Sequence, residues 1–400
     1  MIFALVLWAL VWGGMFTGIY NLMPFPSIHD RLAFVQGFRA LFPVVAAYVC
    51  LLWALAARAR YRFGWTALGF LAYYGLLGFV SSIALSPDPT TAVYWSSVYL
   101  SPLLVAWFVI ERPEPLPVLR ALLRVNNAVV ALLLLAVLPE AVRFGFGRAT
   151  RYMIYMMPFG LGGVRANGVG RYAVVVLIIA FVTLATSRSA KRWAWLLLAP
   201  PALFILMQTQ SRSALLGLAV ASMLFVLVRG FSLRFLVAGP VAAYAIWVSG
   251  FTWRAKGDIG SLLFLTGRES TWQKGLARIA ESPVFGWGFH ADRLLLNSEH
   301  MHNSYLHAAI QAGVGGALLF AAAIVVLWGF LWKSGVLRRV RTAAAEDRSL
   351  LTQSILILGF LSARSIFEST AAFYGVDLLL FVPAVAYLYQ WALENPVPEP

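Results

Sequence analysis

The chain is a succession of apolar runs, each close to twenty residues long and separated by short polar stretches. They lie at about 1–22, 36–57, 64–85, 92–110, 118–138, 169–187, 193–209, 212–229, 231–250, 304–332, 349–366 and 373–393. About 20 helical residues cross a hydrocarbon core of about 30 Å. Inside lipid every backbone polar group needs an internal partner, which leaves spanning helices or a closed barrel. The runs are continuous rather than alternating at period two, so the barrel is excluded. Hydrophobic residues make up 61% of 400 residues and charged ones 12%, with a mean hydropathy of +0.80. No soluble globule hides that much apolar surface. The reading is an all-α polytopic membrane protein of about 12 transmembrane helices, with 1–400 as a single integral membrane domain. The first basic residue is Arg31, so the first run reads as a retained span rather than a cleaved signal. The acidic, Pro-rich tail 394–400 reads as disordered. No internal repeat is visible.

Charge placement gives orientation. Alternate short loops carry Arg58, Arg60 and Arg62; Arg112, Arg120 and Arg124; Arg188, Lys191 and Arg192; Arg229 and Arg234; and Lys333, Arg338, Arg339, Arg341 and Arg348. Cytoplasmic loops are enriched in Lys and Arg, so these loops, and with them both termini, are expected in the cytoplasm. The remaining basic residues fall on the far side, and that rule does not account for them. Most sit in two long outer segments, about 139–168 and 251–303, among them Arg143, Arg148, Arg151, Arg165, Arg254, Lys256, Arg268, Lys274, Arg278 and Arg293. Arg171, Arg212 and Arg364 lie at outer membrane edges, where an unpaired Arg at full depth costs roughly 2.5–3.5 kcal/mol. Headgroup contacts are one use for such charge. A basic cavity for a phosphate-bearing substrate is another, because the planar guanidinium binds phosphate oxygens in pairs.

The single cysteine, Cys50, lies in an apolar run, which removes disulfide frameworks and thiolate metal clusters. Five His and 16 Asp plus Glu are spread thinly. No Gly-rich loop carrying Lys offers a nucleotide-phosphate site.

The outer segment 251–303, between the ninth and tenth spans, is the most informative. Thr266 or Gly267 is placed to cap a helix that starts near Arg268 and ends near Ala280. Pro283 stops it, and Gly286 and Gly288 open a turn. The polar and apolar pattern of this helix places it at the membrane interface. His300, His302 and Asn303 then precede the tenth span, followed by Tyr305 and His307. A His at this position is suited to take a proton from a hydroxyl, since its ordinary pKa lies near neutrality. His300 and His302 as half of a metal site is disfavoured, because residues i and i+2 do not share a helical face. Arg364 and Glu368, spaced i,i+4, are expected to pair. Gly168 and Gly170 beside Arg171 allow close backbone approach.

Thr266-Gly267-Arg268 with Trp272, then Ser282-Pro283-Val284-Phe285-Gly286-Trp287-Gly288, then His302-Asn303-Ser304-Tyr305-Leu306, resembles the O-antigen ligase and polymerase superfamily. The ligase pattern is His, then Asn, Ser or Gln, nine residues, then Gly-x-x-Gly, Thr or Tyr. His302-Asn303 followed by Gly313-Val314-Gly315-Gly316 fits it. Ser211-Arg212-Ser213 is similar to a turn that recurs in the family. The resemblance covers about 160–370.

It implies a C-type glycosyltransferase fold in the bacterial inner membrane, with the active site facing the periplasm and needing neither metal nor nucleotide cofactor. The donor would be a glycan on undecaprenyl pyrophosphate, the acceptor the lipid A core. No nucleic acid partner is expected. His302 is the expected catalytic base. Arg212 and Arg268, supported by Arg165 and Arg171, would bind the donor pyrophosphate, with Asn303, Tyr305, His300, Arg364 and Glu368 in supporting positions. A polymerase would use the same donor with a second lipid-linked glycan as acceptor. The spacing from Arg151 to Gly162 matches a pattern seen in such polymerases. A protein O-oligosaccharyltransferase is a further alternative, although extra sequence beyond the last span is usual there. A lipid-linked glycan flippase would need charge along the interior of its spans, whereas here charge gathers on the outer side.

Overall fold

The computed structural model describes residues 1–15, 38–59, 64–145, 154–157, 163–187, 190–230, 268–297 and 299–396. The ninth predicted span (231–250), Arg148, Arg151, Arg254, Lys256, the cap at Thr266 or Gly267 and the end of the tail lie outside them. In chain order the helices are α1 (Ile2–Gly13), α2 (Phe42–Ala56), α3 (Ala67–Ala84), α4 (Pro89–Ile110), α5 (Pro115–Phe144), α6 (Ala166–Thr186), α7 (Lys191–Thr209), α8 (Arg212–Arg229), α9 (Arg268–Glu281), α10 (Ala291–Leu295), α11 (Ser304–Lys333), α12 (Val336–Arg339), α13 (Ala345–Arg364) and α14 (Val376–Glu394). A short antiparallel pair, β1 (Ile154–Met156) and β2 (Gly163–Arg165), lies before α6, with Tyr155 opposite Val164. The protein is therefore a nearly all-helical polytopic membrane protein.

Among the described residues, eight helices are long and apolar enough to cross a membrane: α2, α3, α4, α5, α6, α8, α11 and α14. The shorter α1 and the more polar α7 and α13 fill three more of the predicted positions. The twelve-span reading thus agrees with the helix pattern but is not itself established. α13 shows why composition alone undercounts. Every residue from Leu350 to Leu361 is buried, so its polar Thr352, Gln353 and Ser354 face protein rather than lipid.

Helices in lipid gain little from apolar burial against one another, so close backbone packing and polar contacts hold them together. Gly217 of α8 abuts Phe360 of α13, and Gly359 of α13 abuts Leu224 of α8. The Trp8 and Trp12 indoles both donate to Asn126 Oδ1 at 2.8 Å, and Asn126 Nδ2 donates to the Leu379 carbonyl at 2.7 Å. Asn127 joins α5 to Gln353 of α13 at 2.8 Å. α14, buried from Val376 to Leu388, lies at the centre of this bundle.

The helix ends sort into two faces. On one, Arg120 pairs with Asp347 at 2.8 Å, Arg341 donates to the last carbonyls of α8, and Arg229 reaches the end of α6. These belong to the basic loops described above. On the other face lie the starts of α6, α8, α11 and α14 and the ends of α3, α7 and α13, with α9 and α10 covering them.

Candidate functional site

The 268–303 segment is held on this face by a break in α11. Ala312 and Gly313 leave helical geometry, Gly313 with φ +66°, which frees the carbonyls of Ile310 and Gln311. They accept from the backbone N–H groups of Trp287 and Gly288 at 2.8 and 2.9 Å, while Val314 N donates to the Pro283 carbonyl at 2.8 Å. A Cβ at Gly313 would lie 2.2 Å from the Val284 carbonyl oxygen, and one at Gly286 2.5 Å from Gly313 N. The turn 283–288 is thus threaded into the kink. On its other side Phe289 N donates to Ser82 Oγ at 2.9 Å, docking the turn onto α3. The expected stop at Pro283 and turn at Gly286 and Gly288 are present, both glycines having positive φ. The helix before them runs one residue further than expected, to Glu281.

α9 carries its two buried residues, Gly275 and Ile279, on one side. Gly275 admits Met301 beneath the helix, and the Trp272 indole donates to the Met301 carbonyl at 2.6 Å. With Met301 anchored, its neighbours His300 and His302 face different carboxylates. His302 adopts φ +47°, a conformation costly for a non-glycine residue and held here by its surroundings.

His302 Nδ1 lies 2.8 Å from Glu368 Oε2. The other carboxylate oxygen, Oε1, accepts from Arg268 Nη2 at 2.9 Å and from Asn167 Nδ2 at 2.7 Å. Arg268 Nη1 also donates to the Phe367 carbonyl. Glu368 is 5% exposed. Burial raises its pKa, but the contact with His302 and the cations of Arg364 and Arg268 outweigh that, so the carboxyl is held well below its ordinary range. A carboxylate facing Nδ1 fixes the proton there and leaves Nε2 as the acceptor nitrogen. His302 and Arg268 remain partly open, their side chains 26% and 22% exposed.

The other expected site residues take different positions. Asn303 caps α11, its Oδ1 accepting from Tyr305 N and Leu306 N at 2.9 Å, and its Nδ2 donates to the Ile366 carbonyl. It fixes the start of α11 directly after His302 rather than bonding to the imidazole. The Tyr305 hydroxyl meets Ser365 Oγ at 3.4 Å. The expected Arg364–Glu368 pair does not form: Arg364 Nη1 goes to Asp377 Oδ2 at 2.7 Å and Nη2 to the Asn167 carbonyl at 3.2 Å. Asp377 lies at the start of α14, within reach of the end of α13, while Glu368 is drawn to His302 and Arg268. Arg171 is the second partner of Asp377, at 3.0 Å. Arg171 is thus tied into a buried charge cluster. Arg165 is exposed at the start of α6. Arg212 opens α8 beside the left-handed Gln210, where Ser211 packs on Gly170, one turn along α6 from Asn167.

His300 Nδ1 lies 2.7 Å from Asp292 Oδ2, and burial, with Arg293 nearby, lowers its pKa to about 3 against the pull of Asp292. It is a half-buried neutral imidazole and not part of the His302–Glu368 pair. Sequence reasoning overlooked Asn167, Asp292 and the bridging role of Asp377. Asn167 carried a signal: a polar residue between Arg165 and Arg171 at a helix start, beside Gly168.

Fold and site together define a helical membrane protein with a His–Glu–Arg constellation at the helix ends of one face. In comparison with known proteins, residues 199–321 match the family model described as O-Antigen ligase. That stretch contains Arg212, Arg268, the 282–288 turn, His302 and the Gly313 kink, so the resemblance read from the motifs is upheld. The chain is 29% identical over 140 residues to a Pseudomonas aeruginosa protein named O-antigen ligase, covering 32% of this chain and 33% of that one. It is 24% identical over 164 residues to the exopolysaccharide production protein ExoQ of Rhizobium meliloti, covering 37% of each. The matched stretch spans about a third of the length of these relatives. A chain solved in a peptidoglycan synthase complex is similar at 18% identity and a TM-score of 0.47, covering 84% of this chain and all of that one.

Proposed function

We propose that the protein is a glycosyltransferase of the O-antigen ligase type. It moves a glycan from undecaprenyl pyrophosphate to the lipid A core at the periplasmic face of the bacterial inner membrane. The observation that carries this is one buried carboxylate, Glu368, holding both His302 Nδ1 at 2.8 Å and Arg268 at 2.9 Å. It couples a base to a cation, the two functions the reaction needs.

The acceptor hydroxyl gives its proton to His302 Nε2 as its oxygen bonds to the anomeric carbon. The anomeric carbon–phosphate oxygen bond breaks, and the electron pair leaves with the pyrophosphate. Arg268 and Arg212 stabilise that charge, and Glu368 stabilises the imidazolium. Direct displacement inverts the anomeric centre. Arg171 and Arg364, locked onto Asp377, hold the α6 start in place, while the exposed Arg165 meets the donor at the rim.

A second reading, a polymerase with a lipid-linked glycan as acceptor, is favoured by the similarity to ExoQ. Both are tested by reconstituting the purified protein with lipid-linked glycan and lipid A core, without nucleotide, beside His302→Ala. Glycan on the core with the wild type alone supports the ligase and its base. Longer lipid-linked chains over an uncapped core support the polymerase. An active His302→Ala removes the base from the scheme.

A further inference from the structure

Behind His302 lies a second His–carboxylate group that the transfer reaction does not use. Asp292 of α10 is 1% exposed and His307 of α11 is 2% exposed. The side chain of His300, from the loop between them, is 13% exposed. The potential ligand atoms of these three residues all lie within 4.8 Å of one another. Asp292 Oδ1 is engaged by Arg293 N at 2.9 Å, which leaves Oδ2 aimed at both imidazoles, 2.7 Å from His300 Nδ1 and 3.5 Å from His307 Nδ1.

We propose that Asp292, His300 and His307 form a binding site for a late first-row divalent cation, zinc being the expected ion, that clasps α10 and the 299–303 loop onto α11. Imidazole and carboxylate donors in this ratio suit zinc and its neighbours rather than magnesium or calcium. Zinc bonds of about 2.0–2.2 Å in a tetrahedron set neighbouring donors about 3.3–3.6 Å apart. The Asp292–His307 separation already fits. The Asp292–His300 separation opens by roughly 0.6–0.9 Å when the cation takes the Nδ1 lone pair of His300 and the imidazole proton moves to Nε2.

His307 Nδ1 meets Ser369 Oγ at 3.0 Å, a contact the cation would replace, while the contact at its other ring nitrogen fits a ligated imidazole. His307 Nε2 lies 2.6 Å from the Gln311 side-chain amide. With the amide turned so that its oxygen faces the ring, His307 Nε2–H donates to it, the arrangement expected behind a metal-bound histidine. In that orientation the amide nitrogen donates to the Tyr74 hydroxyl, which in turn donates to the Ala372 carbonyl at 2.7 Å. The three ligands come from separate segments, and His300 precedes His302 by two residues. A bound cation therefore fixes the loop that presents the base without touching the reacting atoms.

The test uses full-length protein in detergent, purified without a polyhistidine tag and stripped with chelator. It is titrated with Co²⁺ under visible spectroscopy, and Zn²⁺ retained after gel filtration is counted. One equivalent is expected, with tetrahedral Co²⁺ absorption bands and a raised melting temperature. Asp292→Asn, His300→Ala and His307→Ala are each expected to weaken binding at least about 100-fold, since even outer-shell losses reach that size. His302→Ala, which removes an imidazole paired with Glu368 rather than Asp292, should bind normally. Mg²⁺ should not compete. Wild-type protein without Co²⁺ bands overturns the proposal, and this arm does not depend on any variant folding. So does binding that survives all three ligand substitutions, or equal competition by Mg²⁺. None of these readouts requires turnover, so failure of the ligase reading leaves the result standing.

Discussion

Glu368→Gln isolates what the carboxylate does, because it keeps the shape and removes the charge. In the protein, Oε1 faces two donors, Arg268 Nη2 at 2.9 Å and Asn167 Nδ2 at 2.7 Å, while Oε2 faces His302 Nδ1 at 2.8 Å. An amide has one acceptor. Set against two obligatory donors on one side and one imidazole on the other, its oxygen goes to the pair, and its NH₂ turns to His302. The imidazole must then accept at Nδ1, so its proton moves to Nε2, where the acceptor hydroxyl needs a lone pair. The base is present but in the wrong tautomer. The same inversion in other His–carboxylate pairs lowers kcat by about 10⁴. A loss here of about 10³–10⁴ corresponds to about 4–5.5 kcal/mol of barrier. Donor KM should rise far less, because Arg268 keeps its contact with the Phe367 carbonyl. Initial transfer rates in proteoliposomes at varied donor concentration give kcat and KM separately. His302→Ala should cost a similar factor. Since the two residues act as one unit, the double variant should be little worse than either single one. A Glu368→Gln rate within tenfold of wild type, or losses that multiply in the double variant, would refute the shared-proton argument.

Asp377→Asn leaves Arg171 and Arg364, whose side chains are 11% and 4% exposed, without their shared counter-charge. A destabilisation of about 3–5 kcal/mol is expected, seen as a lower melting temperature in detergent, whereas Arg165→Ala at the exposed rim should barely move it. Gly313→Ala must place a Cβ 2.2 Å from the Val284 oxygen at φ +66°, but at Gly315 the added atom meets only Leu77 at 3.3 Å. The first should unseat the 283–288 turn, costing about 1–3 kcal/mol in backbone strain alone with loss of transfer, and the second should be near neutral. Because the Glu368 carboxyl is depressed below its ordinary 4.5, the unfolded chain binds more protons below that value. The stability Glu368 contributes is complete above about pH 5 and falls as pH falls towards the depressed value, so melting temperatures measured from about pH 6 to 3 should drop less in Glu368→Gln than in wild type.

The membrane architecture was legible because lipid imposes a length and a polarity that a sequence cannot conceal. The boundaries of α3, α6, α8 and α14 follow the apolar runs closely for that reason. Polar α13 shows the limit of the argument. A helix wrapped by other helices is released from facing lipid, so its Thr352, Gln353 and Ser354 report the neighbours and not the bilayer. His302, Arg268 and Glu368 were each visible as chemistry-bearing residues at an outer helix end. Their connection was not, because i,i+4 spacing favoured an Arg364–Glu368 pair that exists only while a helix continues. α13 ends at Arg364, and the chain beyond it turns Glu368 toward His302.

The Gly313 kink explains why motifs distant in sequence occur together. The pattern from His302 to Gly316 sets an imidazole at a helix start and a break nine residues after Asn303. The break exposes the carbonyls of Ile310 and Gln311, and the 283–288 turn binds them, with Gly286 fitting against the Gly313 backbone. That turn in turn fixes the end of α9, whose first residue is Arg268. The distance between His302 and Arg268 is therefore set by one backbone junction, two steps removed from either side chain. Substitutions at Gly286 and Gly313 should accordingly separate His302 from Arg268 as effectively as loss of Glu368, although neither glycine touches the reacting groups.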